Sequence, residues 1–197
     1  MNFPRRILKW AWFTGGALLV AFFAILVLLP NASAVGSVQM ASVILAEQAP
    51  SGFPVRLKIS AIQVDAAIEH VGLAPDGAMD TPKGPSDAAW FDGGPRPGEK
   101  GSAVIAGHFG WKENIPAVFD NLSTLRKGDK IYVENDKGEI TTFVVRESRL
   151  FGEQGNAAEV FSSSDSKAHL NLITCEGVWN KNTKSYSERL VVFTDKE

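Results

Sequence analysis

The sequence predicts an all-β domain carried behind a single N-terminal transmembrane helix. Three observations lead there. Short strand-like runs recur across residues 55–194, while stretches with helical periodicity are few. Gly 18 and Pro 10 punctuate those runs, as closely spaced turns require. Upstream, residues 10–29 hold no charged side chain. At ~20 residues that segment is long enough to cross a ~30 Å hydrocarbon core as a helix.

Taken in order, Arg5, Arg6 and Lys9 precede the apolar segment, which places the N-terminus in the cytoplasm and the rest of the chain outside. Trp10 and Trp12 fall at the cytoplasmic boundary, where aromatic side chains are favoured. A cleaved signal peptide is the competing reading, because Ala32-Ser33-Ala34 resembles a processing site. Its apolar core is usually only ~7–15 residues, shorter than this one. The chain therefore divides into a stub and anchor over residues 1–30, a linker over 31–54, and a folded, exported domain over 55–197.

Within the domain, Val55-Arg56-Leu57-Lys58-Ile59 alternates as a half-buried strand should, and residues 64–71 form a second candidate. Pro75-Asp76-Gly77 marks a turn, with Met79 and Thr81 in a short strand after it. Loops rich in Pro and Gly flank residues 88–91, and residues 102–106 read as a central apolar strand. Pro116 opens a short helix or helical turn reaching Leu125, with Val118, Phe119 and Leu122 on its apolar face. Residues 130–134 and 139–148, joined by Asn135-Asp136-Lys137-Gly138, are the clearest hairpin. A helical turn is expected at residues 157–161, then strands at 169–175 and 189–194. Between these last two, residues 176–188 read as a long loop, a type that tends to carry function.

Composition narrows the chemistry. With Lys+Arg 20 and Asp+Glu 22, the net charge of −2 offers nothing to a nucleic acid. The single cysteine, Cys175, excludes an internal disulfide framework and a four-thiolate metal site. Glu153 and Asp165 are too thinly spread for a calcium site, so neither metal nor cofactor is expected. An exported thiol is a liability unless it does something, although a buried, inert cysteine is the bland alternative. Cys175 ends the apolar run His169-Leu170-Asn171-Leu172-Ile173-Thr174 and is followed by the turn signal Glu176-Gly177. His108 follows the strand 102–106 through Gly107 in the same way, and Arg189 opens the last strand.

A thiol, an imidazole and a guanidinium at three strand ends suit acyl transfer. A thiolate is the nucleophile, and the ordinary thiol pKa of about 8.5 leaves little of it at neutral pH. A neighbouring base raises that fraction and later protonates the leaving group. The tetrahedral oxyanion needs donors aimed at it. The roles would be Cys175 as nucleophile, His108 as acid and base, and Arg189 as oxyanion or carbonyl clamp. His169 lies six positions before Cys175 on one strand, ~20 Å away, too far to exchange a proton. His70 reads as a structural or surface histidine, and Arg126, Arg146 and Arg149 as solvated charges near turns and hairpins.

Together, Gly107-His108, Leu172-Ile173-Thr174-Cys175 and Arg189-Leu190-Val191-Val192 resemble the sortases, the membrane-anchored transpeptidases of bacterial cell surfaces. The family's L-x-T-C signature stands at residues 172–175, its histidine at His108 and its arginine at Arg189, over about residues 55–194. The fuller signature often reads T-L-x-T-C, and here Asn171 occupies the first position. The resemblance implies a closed β-barrel of about eight strands with short helices. It also implies cleavage of an L-P-x-T-G-like sorting signal between Thr and Gly through a thioester on Cys175. An amine from a cell-wall precursor, a pilin lysine or another acceptor would resolve that thioester. Thr174 would contribute to the substrate pocket, and Trp179, in the loop before the last strand, would pack against substrate or serve as a lid or core residue. The compact domain looks most like the single-domain sortases grouped as class E or F. Two rival readings stay open: a thiol peptidase or hydrolase without transfer, and a non-enzymatic anchored β-domain that binds a surface partner.

Overall fold

The structure is a computed structural model that describes residues 52–152 and 155–197. The expected anchor over residues 10–29, most of the linker, and Glu153 lie outside the described residues. Among the described residues no helix is long and apolar enough to cross a membrane.

Eight strands close into a barrel: β1 (Pro54–Ile59), β2 (Val64–Val71), β3 (Ala88–Phe91), β4 (Gly101–Gly107), β5 (Lys130–Asn135), β6 (Ile140–Gly152), β7 (Ala168–Asn180) and β8 (Ser185–Lys196). Their order around the barrel is β1-β2-β3-β4-β7-β8-β6-β5, with β5 returning to β1. Alternation in sequence becomes alternation of faces. In β2, for example, Val64, Ala66 and Ile68 are buried while Asp65 and Ala67 are exposed. Leu57, Ile59, Ile105, Phe143, Leu170, Leu172 and Val192 fill the interior, as a small barrel's side chains must.

A second apolar layer lies outside the barrel. Val104, Val191 and Phe193 point outward and are covered by Val160 of a one-turn helix, α1 (Ala158–Phe161), in the connection between β6 and β7. Consequently β7 is buried on both faces through Leu172, a pattern its near-continuous apolar run already carried. Polar ties hold this connection down. Arg149 donates both terminal nitrogens to Glu159, at 2.9 and 3.0 Å. His169 lies 2.8 Å from Asp165 on the connection and 2.8 Å from Asp195 on β8.

Most expected elements are present, with instructive departures. The hairpin turns at Asn135, whose Oδ1 accepts the Lys137 and Glu139 amides at 3.0 and 2.9 Å. Met79 makes only an isolated bridge to Leu73, and Thr81 is not in a strand. Residues 116–125 form turns and one 3₁₀ turn (Leu122–Thr124) rather than a helix. Two amides are spent outside the segment, Val118 N–H on the Pro85 carbonyl and Phe119 N–H on that of His108, at 2.8 and 3.1 Å, and the later amides close only three-residue turns. Phe119 and Leu122 are nonetheless fully buried, so the apolar face was correctly read even though its backbone is not helical.

The larger departure is at residues 176–188, which continue β7 and β8 as a projecting hairpin instead of a loop. A register shift falls between Glu176 and Trp179, where Gly177 has φ +88°. Asn180 Oδ1 accepts the Asn182 amide at 2.9 Å inside the closing turn. Residues 177–184 are exposed throughout, so neither face carries the apolar alternation that betrays a strand.

The hydrogen bond from His169, then that from the Lys167 amide, holds the Asp165 carboxyl below the usual carboxylate range. A depressed folded value contributes stability that is present above the ordinary value and lost as pH falls through the lowered one. The stability gap between wild type and Asp165→Asn should therefore be present above the ordinary carboxylate range and narrow as the pH falls below it. Melting temperatures measured across that range check it; a gap that persists in acid would contradict the tie.

Candidate active site

Three adjacent strands, β4, β7 and β8, build the site. β4 and β7 run parallel, from Gly101↔Ala168 to Ala106↔Ile173, a constant offset that brings the next residues, Gly107 and His108, level with Thr174 and Cys175. β7 and β8 run antiparallel, with Cys175 directly opposite Arg189. Cross-strand partners share a face and neighbouring strands lie ~4.8 Å apart, so Cys175 sits between His108 on one side and Arg189 on the other. The face is the outer one. Leu170, Leu172 and Thr174 turn inward, leaving Asn171, Ile173 and Cys175 in line on the outside.

Local contacts hold each group. Thr174, buried at 3 % exposure, donates its hydroxyl to the Gly107 carbonyl at 2.7 Å, tying the ends of β7 and β4 together just before Cys175 and His108. Gly107 has no room for a side chain: a Cβ there would lie 2.4 Å from a ring carbon of Phe119. His108 Nε2 lies 2.7 Å from the carbonyl of Pro82, and Trp111 packs on its ring at 4.6 Å. A carbonyl only accepts, so Nε2 carries the proton in this contact and Nδ1 is left for exchange. Arg189 curls into its own hairpin. Nη1 donates to the Tyr186 and Glu188 carbonyls, both at 2.9 Å, and Nη2 to Ser185 Oγ at 3.0 Å. A guanidinium has five N–H groups, so Nε–H and one Nη2–H stay available.

Two cavities meet at these residues, each bordered by His108, Cys175 and Arg189. The first, of about 590 Å³, is an apolar groove. Ala106 and Ile173 form its floor, Leu73 and Met79 one wall, and Ala157 and Phe161 the other. The second, of about 980 Å³, runs along the projecting hairpin past Trp111, Trp179, Lys184 and Tyr186.

The sequence-derived candidates are thus distributed as follows. Cys175, His108 and Arg189 share one cleft. Thr174 borders the groove, but its hydroxyl is committed to Gly107. Trp179 is absent from the groove; it lines the second cavity and stacks edge-on against Tyr186 at 5.1 Å, which joins it to the hairpin's own packing. His169 lines a separate cavity with Arg149 and Asp165. His70 binds the Pro54 carbonyl at 3.1 Å and meets Trp90 edge-on, a structural placement. Arg146 and Arg149 are ion-paired strand residues stacked on Phe193, not simply solvated charges. Among the described residues no cluster of His, Cys, Asp and Glu is placed to hold a metal ion. The groove walls, Met79, Phe91 and Phe161, went unrecognised as site residues, because apolar side chains carry no chemical signature that tells a groove wall from core.

A closed eight-stranded barrel with this cleft defines a class of fold, and sequence comparison names it. A family model described as the sortase domain matches residues 57–197, and the chain belongs to the sortase family. Solved structures share the fold. Sortase C-1 from Actinomyces oris is 24% identical over 73% of this chain and 74% of its own, with a TM-score of 0.58. A lid mutant of sortase A from Corynebacterium diphtheriae is 22% identical over 78% and 73%, with a TM-score of 0.58. A Clostridium perfringens sortase D5 transpeptidase is 19% identical over 81% and 87%, with a TM-score of 0.54. No curated protein sequence matches the chain.

Gly107→Ala should destabilise the domain by about 1–3 kcal/mol, the usual cost of overpacking a filled core. Urea unfolding measures it; an unchanged midpoint would mean Phe119 and Val118 can give way.

Proposed function

We propose that the protein is a membrane-anchored cysteine transpeptidase that cleaves an L-P-x-T-G-like sorting signal between Thr and Gly and passes the acyl group to an amine. The observation that carries this reading is the register that sets Cys175 between His108 and Arg189 at the mouth of an apolar groove. The groove takes an extended peptide whose apolar side chain lies against Ile173, Phe91 and Phe161. The Cys175 thiol gives its proton to His108 Nδ1, the thiolate attacks the threonyl carbonyl carbon, and the two remaining Arg189 N–H groups receive the oxyanion. The C–N bond then breaks, His108 delivers a proton to the departing glycine amine, and a thioester remains on Cys175. An incoming amine, from a cell-wall precursor or a pilin lysine, enters along the hairpin side. It loses its proton to His108, attacks the thioester and releases the thiol. No cofactor takes part in this sequence.

Cys175→Ala should abolish peptide cleavage, and His108→Ala should abolish turnover with the fold intact by circular dichroism. Arg189→Lys should lose about 10²–10³ in kcat, since an ammonium cannot present the same fork to an oxyanion. A peptide assay with and without an added amine measures all three. Ligated product with amine supports transfer, hydrolysis indifferent to amine supports the plain peptidase, and full turnover by Cys175→Ala would overturn both.

The basic residues ahead of residues 10–29 support a single-pass anchor with the catalytic domain outside the cell. A membrane-impermeant maleimide should therefore label Cys175 of the full chain in intact cells. Labelling only after lysis would refute this orientation.

A further inference from the structure

Asn171 is where this chain departs from the family's T-L-x-T-C pattern, and no chemical step above uses it. We propose that Asn171 is a positioning residue that sets the apolar wall of the peptide groove by fixing the peptide plane between Val160 and Phe161. The inference rests on the peptide-cleaving reading of that groove.

Asn171 lies on the outer face of β7, in line with Ile173 on the groove floor and with Cys175. It is 1% exposed, and its Nδ2 donates to the Val160 carbonyl at 2.6 Å. Val160 belongs to α1, a helix of one turn, too short to hold its own shape without outside contacts. Its side chain plugs the outer apolar layer beside Val104, Val191 and Phe193. An apolar plug leaves rotation about its own axis nearly free, whereas a hydrogen bond is directional. Fixing the Val160 carbonyl fixes the plane from which Phe161 departs. Phe161 then meets Phe91 edge-on, with ring centroids 5.7 Å apart, and both rings line the groove.

The position is also occupied in a destabilising way. Asn171 Oδ1 is buried with no hydrogen-bond partner, a penalty an apolar side chain would avoid. A threonine there, as in the family pattern, carries its hydroxyl one bond closer to the strand than Nδ2. Breaking a local rule without a gain in core packing is a mark of a functional position.

The test uses the full-length protein in detergent, with Asn171→Thr and Asn171→Leu. Expected in both is a rise of about tenfold in KM for an L-P-x-T-G peptide, equivalent to ~1.4 kcal/mol and within the cost of orphaning a buried carbonyl. The kcat and the alkylation rate of Cys175 by iodoacetamide should stay within about twofold. Amide exchange over residues 158–163 should lose protection. With a peptide whose leucine is replaced by alanine, wild type and variants should converge, because the wall then has nothing to grip. Unchanged KM and unchanged protection would overturn the proposal, as would a fall in melting temperature with kcat and KM unmoved, which marks a purely structural role. If wild type cleaves neither peptide, the functional reading fails and the exchange measurement alone decides whether Asn171 holds the wall.

Discussion

The parallel pairing of β4 with β7 is the constraint on which the rest of the molecule depends. A parallel ladder puts two strands' C-terminal ends at the same level, which an antiparallel pair cannot do. The constant offset from Gly101↔Ala168 to Ala106↔Ile173 then carries His108 to the level of Cys175. Slippage by one residue would turn Cys175 into the core and Thr174 out to solvent, because side chains alternate faces. Burial guards against it on both sides, since Leu170 and Leu172 are wanted inside and Ile173 outside. The Thr174–Gly107 hydrogen bond then locks the last rung at the site itself.

Burial on both faces explains how a barrel can carry a groove on its outer surface. A sheet with one wet face would offer a substrate little apolar area. Here the outside of β4, β7 and β8 is itself apolar, and α1 covers only the half farther from Cys175. The uncovered remainder, around Ala106 and Ile173, is the groove floor. The connection that carries α1 is held by the buried Val160 side chain and the Asn171–Val160 hydrogen bond, with ion pairs such as Arg149–Glu159 at its half-exposed rim that individually contribute little.

The projecting hairpin of β7 and β8 does a different job. It is exposed over residues 177–184 and joined by aromatic contacts, Trp179 on Tyr186 and Tyr186 on Phe109. Its backbone carbonyls at Tyr186 and Glu188 hold three of the Arg189 contacts together with Ser185. A guanidinium so held has little conformational entropy left to lose. The hairpin is thus both a wall of the second cavity and the mount for the cationic group.

Local sequence was enough to show which segments alternate, where most strands begin, and that a cysteine, a histidine and an arginine fall at strand ends. Those are local properties: period-two burial, turn residues and side-chain identity are all written within a few positions. The folded structure was needed to show that residues 176–188 form a hairpin, because one exposed along residues 177–184 has no hydrophobic period to read. It also decided that residues 116–125 make turns rather than a continuous helix, because the Val118 and Phe119 amides bond to Pro85 and His108, outside the segment. The strand order that sets 108 beside 175 and 175 opposite 189 is non-local as well. So is the use of Asn171, whose partner Val160 lies across a connection that no local pattern could orient.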